Sequence, residues 1–121
     1  KKPFLPNPKR RLCSLANQYK NAKLDLTGTS ATTLYTCPTA KTAIVKSILV
    51  SEDTGLADTI TITLTDTSSA VFNLFKTKAV TANSTVELLT APLVIEESEI
   101  LKVQAATGNR LHVVASLLEV T

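Results

Sequence analysis

The chain has 121 residues, of which 44% are hydrophobic and 19% are charged. These proportions are ordinary for a globular protein, so they exclude wholesale disorder and predict one domain with a single core. No apolar run approaches the roughly 20 residues of a membrane-spanning helix. The basic first residues are not followed by the apolar segment of a secretory signal peptide, so we expect neither a signal peptide nor a membrane partner.

The net charge of +3 is unevenly distributed along the chain. Residues 1–23 carry seven cations and no acid, which gives +7, whereas residues 24–121 carry six cations and ten acids, which gives −4. The sequence therefore predicts a basic N-terminal arm over residues 1–23 and a folded domain over residues 24–121. The cations of the arm are Lys1, Lys2, Lys9, Arg10, Arg11, Lys20 and Lys23.

Three prolines punctuate the start of the arm, namely Pro3, Pro6 and Pro8. Proline suits neither a helix interior nor a central strand, so residues 1–11 are predicted to be extended. Two interpretations compete for the next segment: a helix capped by Asn7, and a strand that begins near Tyr19. The alternation of apolar and polar residues favours a strand over residues 21–27 and leaves residues 9–18 open.

Beyond Gly28 the apolar residues recur with the period of two that is typical of β-strands. The clearest segment is 59–66, in which Ile60, Ile62 and Leu64 alternate with threonines. Turn residues separate it from its neighbours. About eight short strands at spacings of roughly ten residues predict an all-β fold, an antiparallel β-sandwich that is jelly-roll-like. The other strand-length segments are 43–51, 70–77, 85–89, 100–105 and 111–119.

The last of these segments is apolar on both faces, which distinguishes it from the others. Leu111, Val113, Ala115 and Leu117 lie on one face; His112, Val114, Ser116, Leu118 and Val120 lie on the other. Such a strand is either central and covered, or it exposes its second face to another subunit. The pattern therefore indicates a homo-oligomer.

Side chains that perform chemistry are scarce. The single histidine, His112, has no partner acid, base or second ligand at a recognisable spacing, so we interpret it as a packed or interface residue. The acids Glu96, Glu97 and Glu99 form a predicted turn that lacks the pattern of a calcium loop, and we expect them to be solvated. The three glycines are isolated and cannot form a phosphate-binding loop. We therefore predict no catalytic residues, no metal site and no cofactor, hence not an enzyme.

The two cysteines, Cys13 and Cys37, permit at most one disulfide bond. Neither belongs to a Cys-x-x-Cys motif, so zinc binding and redox chemistry are poorly supported. We expect two reduced thiols in a protein that assembles in the cytoplasm.

The basic arm has two functional interpretations. Its cations could contact nucleic-acid phosphates, but the arm has few aromatic residues to interleave with them. Alternatively, the arm lies on a protein surface, with apolar residues as anchors and cations that fix its register. We favour the protein surface, while nucleic-acid contact and a merely disordered tail stay open. The predicted partner-binding residues are Lys1, Lys2, Phe4, Leu5, Lys9, Arg10, Arg11 and Leu12.

Three segments of the chain form recognisable motifs. They are Leu-Tyr-Thr-Cys-Pro-Thr-Ala-Lys-Thr-Ala-Ile-Val-Lys-Ser-Ile at 34–48, Glu-Leu-Leu-Thr-Ala-Pro-Leu-Val-Ile at 87–95 with the acidic turn that follows, and Leu-His-Val-Val-Ala-Ser-Leu-Leu-Glu at 111–119. In these segments the chain resembles small β-sandwich virion proteins of tailed bacteriophages. Relatives often have Gly-Asp in the acidic turn, where this chain has Ser98-Glu99. The resemblance covers about residues 19–121 and implies an oligomeric virion part that decorates heads or builds necks, tails and fibres.

The combined hypothesis is a capsid decoration or cement protein, a trimer that resides in the virion. An arm of 23 residues reaches roughly 50 Å or more when extended, which is enough to bridge neighbouring subunits of the major capsid protein. A protein that binds only the assembled shell shifts the assembly equilibrium toward it. The alternatives are a tail, neck or fibre component, or a module that binds host glycans or nucleic acid.

Overall fold

The computed structural model describes residues 17–121, which form nine β-strands and no helix. Among these residues no helix is long and apolar enough to span a membrane. The strands are β1 (Gln18–Leu26), β2 (Thr32–Thr36), β3 (Thr42–Glu52), β4 (Asp58–Thr65), β5 (Val71–Val80), β6 (Thr85–Glu87), β7 (Leu93–Ile95), β8 (Ile100–Ala105) and β9 (Leu111–Val120).

The strands form two antiparallel sheets that pack face to face. Sheet A has the order β1-β9-β3-β6, with β7 also paired to β3, and sheet B has the order β2-β8-β4-β5. Only β4 and β5, and β6 and β7, are sequence neighbours within one sheet; every other connection crosses to the opposite sheet. If β6 and β7 count as two halves of one strand along β3, this is the eight-strand arrangement of a jelly roll. The predicted fold class is confirmed.

The core between the sheets follows from the alternation seen in the sequence. In β4, Ile60 and Ile62 are fully buried while the threonines between them face outward and are half-buried. The inward side chains of β3 and β9 meet them from sheet A. The largest buried apolar residues on those two strands are Val45, Ile48, Val50, Leu111 and Leu117.

The turns use backbone conformations that few residues adopt. Gly55, Asn83 and Asn109 have positive φ values of 85°, 55° and 62°, each in a turn between two strands. Ser98 also has a positive φ, 66°, at the position where the resembling proteins often have glycine. Gly108 is required for another reason: a Cβ there would lie 2.5 Å from the backbone oxygen of Thr27.

Strand β1 begins earlier than the sequence indicates. It starts at Gln18 rather than at residue 21, and all nine of its residues pair with β9, from Gln18 opposite Glu119 to Leu26 opposite Leu111. The proposed boundary at residue 23 therefore falls inside this strand, and Lys20 and Lys23 lie in the sheet. The alternation is hidden at the start of this strand because the inward positions hold the polar residues Gln18 and Lys20, whereas the outward position holds Tyr19. Of the competing helix over residues 8–22, residues 18–22 are strand, residue 17 belongs to no element, and residues 8–16 lie outside the described residues.

Candidate assembly surface

The outward face of sheet A carries a continuous row of apolar side chains. Tyr19 of β1 lies opposite Leu118 of β9, Leu118 lies opposite Ile44 of β3, and Ile44 lies opposite Val94 of β7. Directly opposite residues of antiparallel strands point to the same face. Tyr19 is 77% exposed and Val94 is 52% exposed, whereas Ile44 and Leu118 are half-buried. We call these four residues the apolar row.

A second row crosses the same face further along the strands. It runs from Lys23 through Val114 and Leu49 to Glu87, and both apolar members are exposed. Between the two rows lies an open depression of about 450 Å³ beside Asn21, Lys46 and Ser116. Lys46 projects there because β3 has a bulge between Val45 and Ser47.

The register places the residue types of a catalytic triad side by side at the far end of this face. His112 lies opposite both Asp25 and Ser51. Its Nε2 is 3.2 Å from Oδ1 of Asp25, and its Nδ1 is 3.8 Å from Oδ2 of Asp53. Both ring nitrogens therefore face carboxylates, and neither is directed at the Ser51 hydroxyl as a general base must be. The two aspartates come from other parts of the chain, so no spacing in the sequence could indicate them.

The described residues contain no group of three or more histidine, cysteine or acidic side chains arranged to hold a metal ion. In the acidic turn, Glu96 and Glu97 are exposed to solvent, as predicted. The Glu99 carboxylate accepts the backbone N–H of Glu96 at 2.8 Å and so closes the turn.

Three buried carboxylates escaped the sequence analysis, namely those of Glu52, Asp58 and Glu119. Glu52 is 1% exposed and accepts backbone N–H groups from Thr54, Gly55 and Asn83 as well as the Thr54 hydroxyl. Burial alone would raise its pKa, but these hydrogen bonds outweigh burial and lower the pKa to about 2. Glu52 thereby ties the β3–β4 loop to the β5–β6 turn. Because Val50 faces the core, the alternation of β3 directs Glu52 inward as well. This alternation was the feature of the sequence that could have predicted the burial of Glu52.

Glu119 joins the two sheets at the opposite end. Tyr35 of sheet B donates its hydroxyl to Oε2 of Glu119 at 2.5 Å, and Lys20 and Lys41 lie 3.0 Å and 3.5 Å from Oε1. Burial acts to raise the pKa of Glu119, but the Tyr35 and Lys20 hydrogen bonds and the charges of both lysines lower it. Burial raises the pKa of the Tyr35 hydroxyl, and the Glu119 carboxylate raises it further.

Cys37 is a buried free thiol at the end of β2. Its Sγ donates to the carbonyl of Lys41 at 3.3 Å, and burial raises its pKa. Cys13, the other cysteine, lies outside the described residues.

The eight predicted partner-binding residues of the arm also lie outside the described residues. The first described residue, Asn17, leads into β1, which is an edge strand of sheet A. The other edges are blunted: β6 and β7 have three residues each, and β2 and β5 contain register shifts. In contrast, β1 has nine residues without a bulge. Long regular edges are templates for pairing with another chain.

Comparisons with known proteins show similarity at the level of the fold. No family model and no curated protein matches the chain. A chain from Bacillus endospore appendages, which form a family of disulfide-linked pili, is similar in structure with 13% identity and a TM-score of 0.53, and 88% of each chain is covered. This likeness establishes a shared fold.

Chains from the Gt and Gx strains of infectious bursal disease virus are more distant, with TM-scores of 0.46 and 0.48 at 12% and 13% identity. The match covers 85% and 86% of this chain but only 30% and 32% of the viral chains, so this chain spans about a third of their length.

Proposed function

We propose that this protein is a non-enzymatic virion subunit, a capsid decoration protein of a tailed bacteriophage whose basic arm docks on the major capsid protein. The observation that carries the proposal is the junction between arm and body. Residues 1–16 contain five cations and no acid, and they lead through Asn17 into β1, which among the described residues is the one long edge strand without a bulge. A basic segment placed at an open edge can leave its own body and bind a neighbour.

The arm then supplies both reach and affinity. Sixteen residues extend to about 53 Å at about 3.3 Å per residue, which is enough to cross a seam between shell subunits. Phe4, Leu5 and Leu12 are the proposed anchors. The proposed electrostatic contacts are made by Lys1, Lys2, Lys9, Arg10 and Arg11. Cations that meet acidic surface groups fix the register and accelerate association.

In this proposal the body is a rigid support for the arm. Its sheets are joined by a continuous core and by the contact between Glu119 and Tyr35. A decoration protein must keep its shape when bound and when free, and it stabilises the shell in proportion to the free energy of binding to the assembled state.

The test compares particle binding by the full chain with binding by a variant that lacks residues 1–16. This truncation keeps β1 and the contact between Lys20 and Glu119, so the body should retain its circular dichroism spectrum and melting temperature. We expect the full chain to decorate purified particles and the truncated chain to be lost from them. Cryo-electron microscopy of both samples locates the density.

Two matched variants separate the contributions of the arm. The first replaces Lys9, Arg10 and Arg11 with glutamine, and the second replaces Phe4, Leu5 and Leu12 with alanine. Loss of binding in the second variant supports apolar anchoring on protein. Binding that survives removal of residues 1–16 would contradict the docking role, and density confined to the tail or neck would contradict decoration. Steep salt-dependent binding to DNA would favour the nucleic-acid interpretation.

A fibre subunit is the second candidate. It is favoured by the two cysteines, one in the arm and one in the body, together with the fold shared with an appendage chain from disulfide-linked pili. In that case Cys13 of one copy would bond to Cys37 of another, and the buried Cys37 thiol would have to become accessible first. Non-reducing gels of the assembled protein distinguish the candidates. A ladder abolished by Cys13→Ser and by Cys37→Ser supports the fibre, and its absence in assembled material contradicts it.

A further inference from the structure

Exposed apolar side chains are concentrated on one face of the molecule. Of the seven large hydrophobic residues that are exposed in the described part of the chain, four lie on the outward face of sheet A. They are Tyr19, Leu49, Val94 and Val114. Together with the half-buried Ile44 and Leu118 they form a surface that spans every strand position of the sheet. The solvated face of an antiparallel sheet normally carries polar residues. A continuous apolar patch on such a face marks an interaction site.

We propose that the outward face of sheet A binds the same face of a second copy of this chain. The size of the face suits this partner. Four strand positions about 4.8 Å apart and ten residues of β9 at about 3.4 Å each define roughly 20 Å by 34 Å. Two such faces bury on the order of 1,300 Å², which lies at the lower end of the range for specific interfaces.

The charges on the face select a second copy over the chain's own arm. Its cations are Lys23 and Lys46, and its acids are Asp25, Glu87 and, beside His112, Asp53. The face is therefore nearly neutral, and two copies can meet without net repulsion. In contrast, residues 1–16 carry five cations and no acid, and the excess of one acid on this face does not match them.

The geometry also limits the number of copies. A face that meets itself forms a two-fold interface, which closes after two subunits. Sheets packed face to face lie about 10 Å apart with their strands nearly aligned, so the apolar rows of the two copies interdigitate. The inference therefore specifies a dimer, where the sequence analysis predicts a trimer.

The test measures the mass of the full chain in solution by analytical ultracentrifugation over a range of concentrations, with reductant present to exclude disulfide-linked species. The variant Val94→Lys places an unpaired charge at the end of the apolar row. The control Val71→Lys makes the same change at a 60% exposed valine of β5, outside the face. We expect a dimer that Val94→Lys weakens about tenfold or more and Val71→Lys leaves unchanged.

A second measurement locates the contact. The chain has two tyrosines, Tyr19 on the proposed interface and Tyr35 at the Glu119 contact, so fluorotyrosine labelling gives two ¹⁹F resonances. The Tyr19 resonance should shift with protein concentration while the Tyr35 resonance stays constant. Tyr19→Lys repeats the mass test with a change on another strand.

Several results would overturn the inference: a monomer at about 1 mM, a trimer, or a dimer that is insensitive to both lysine variants. Stronger association after removal of residues 1–16 would mean that the arm covers the face, which also overturns it. Particle binding is measured separately and depends on the arm, so dimerisation and decoration can each fail without the other.

Discussion

The outward faces of the two sheets differ in chemistry although both are built from alternating strands. On sheet B, Thr61 lies opposite Gln104 and Thr63 lies opposite Lys102, so cross-strand neighbours are polar. On sheet A, the corresponding neighbours Leu118 and Ile44 are apolar. Threonine has the branched side chain that strands prefer and still offers a hydroxyl to water. Sheet B thus has a face suited to solvent, and sheet A has a face suited to a partner.

The largest expected change in the free energy of unfolding comes from the inward side of sheet B, and the matched change on its outward side should be small. Ile62→Ala removes a fully buried side chain between the sheets and should lower the free energy of unfolding by about 2–5 kcal/mol. Its neighbour on the opposite side, Thr63→Ala, should change it by less than about 1 kcal/mol. Urea denaturation of both variants checks this difference. Equal effects would show that the outward face of β4 is also covered.

The next largest change in the free energy of unfolding is expected at Glu119, on the inward side of sheet A. Glu119→Gln removes the charge that Lys20 and Lys41 face and weakens the hydrogen bond from Tyr35, so it should cost about 1–3 kcal/mol. Tyr35→Phe is the matched control, because it removes the hydroxyl and keeps both ion pairs. If Glu119→Gln is neutral, Glu119 does not link the two sheets energetically.

Acid should destabilise the folded protein by protonating its buried glutamates, Glu52 and Glu119. The pKa values of Glu52 and Glu119 are lowered in the folded protein, that of Glu52 to about 2, whereas an unfolded glutamate titrates near about 4.3. Their stabilising contribution is therefore complete above about pH 4.3 and is lost as the pH falls toward about 2. Melting temperatures measured between pH 7 and pH 2.5 should fall most steeply in that interval. The fall should be shallower in Glu52→Gln, and an unchanged slope would argue against the role of Glu52.

The smallest expected change in stability belongs to a variant that tests whether the polarity of a sheet's outward face alone decides self-association. Thr59→Val with Thr63→Val adds two apolar side chains to the outward face of sheet B, and each change should alter the free energy of unfolding by no more than about 0.5 kcal/mol. Thr61 is kept because its hydroxyl accepts the backbone N–H of Thr77. The double variant should nevertheless gain a second mode of self-association in sedimentation. Unaltered association would mean that shape, and not polarity, distinguishes the two faces.

Local pattern was informative wherever one side of a strand was apolar and the other was not. The threonine alternation of β4 was placed within one residue of its observed limits, since burial of one face imposes a period of two. Strand β9, which is apolar on both faces, was placed equally well because turn residues precede a continuous aliphatic run. The start of β1 was missed because Tyr19 and Lys20 carry little of that contrast. Strand β7 was also missed, because three residues after Pro92 are too short to display a period.

The sequence by itself determined the all-β class, the strand periodicity and the separation of a basic segment from the body, because these depend on neighbouring residues and on charge. Only the tertiary structure decided which strands are edges, which carboxylates are buried and which apolar residues join across β1, β9, β3 and β7. Those properties depend on register between distant segments. No local spacing records the position of Glu119 beside Tyr35, or of Tyr19, Leu118, Ile44 and Val94 on one face.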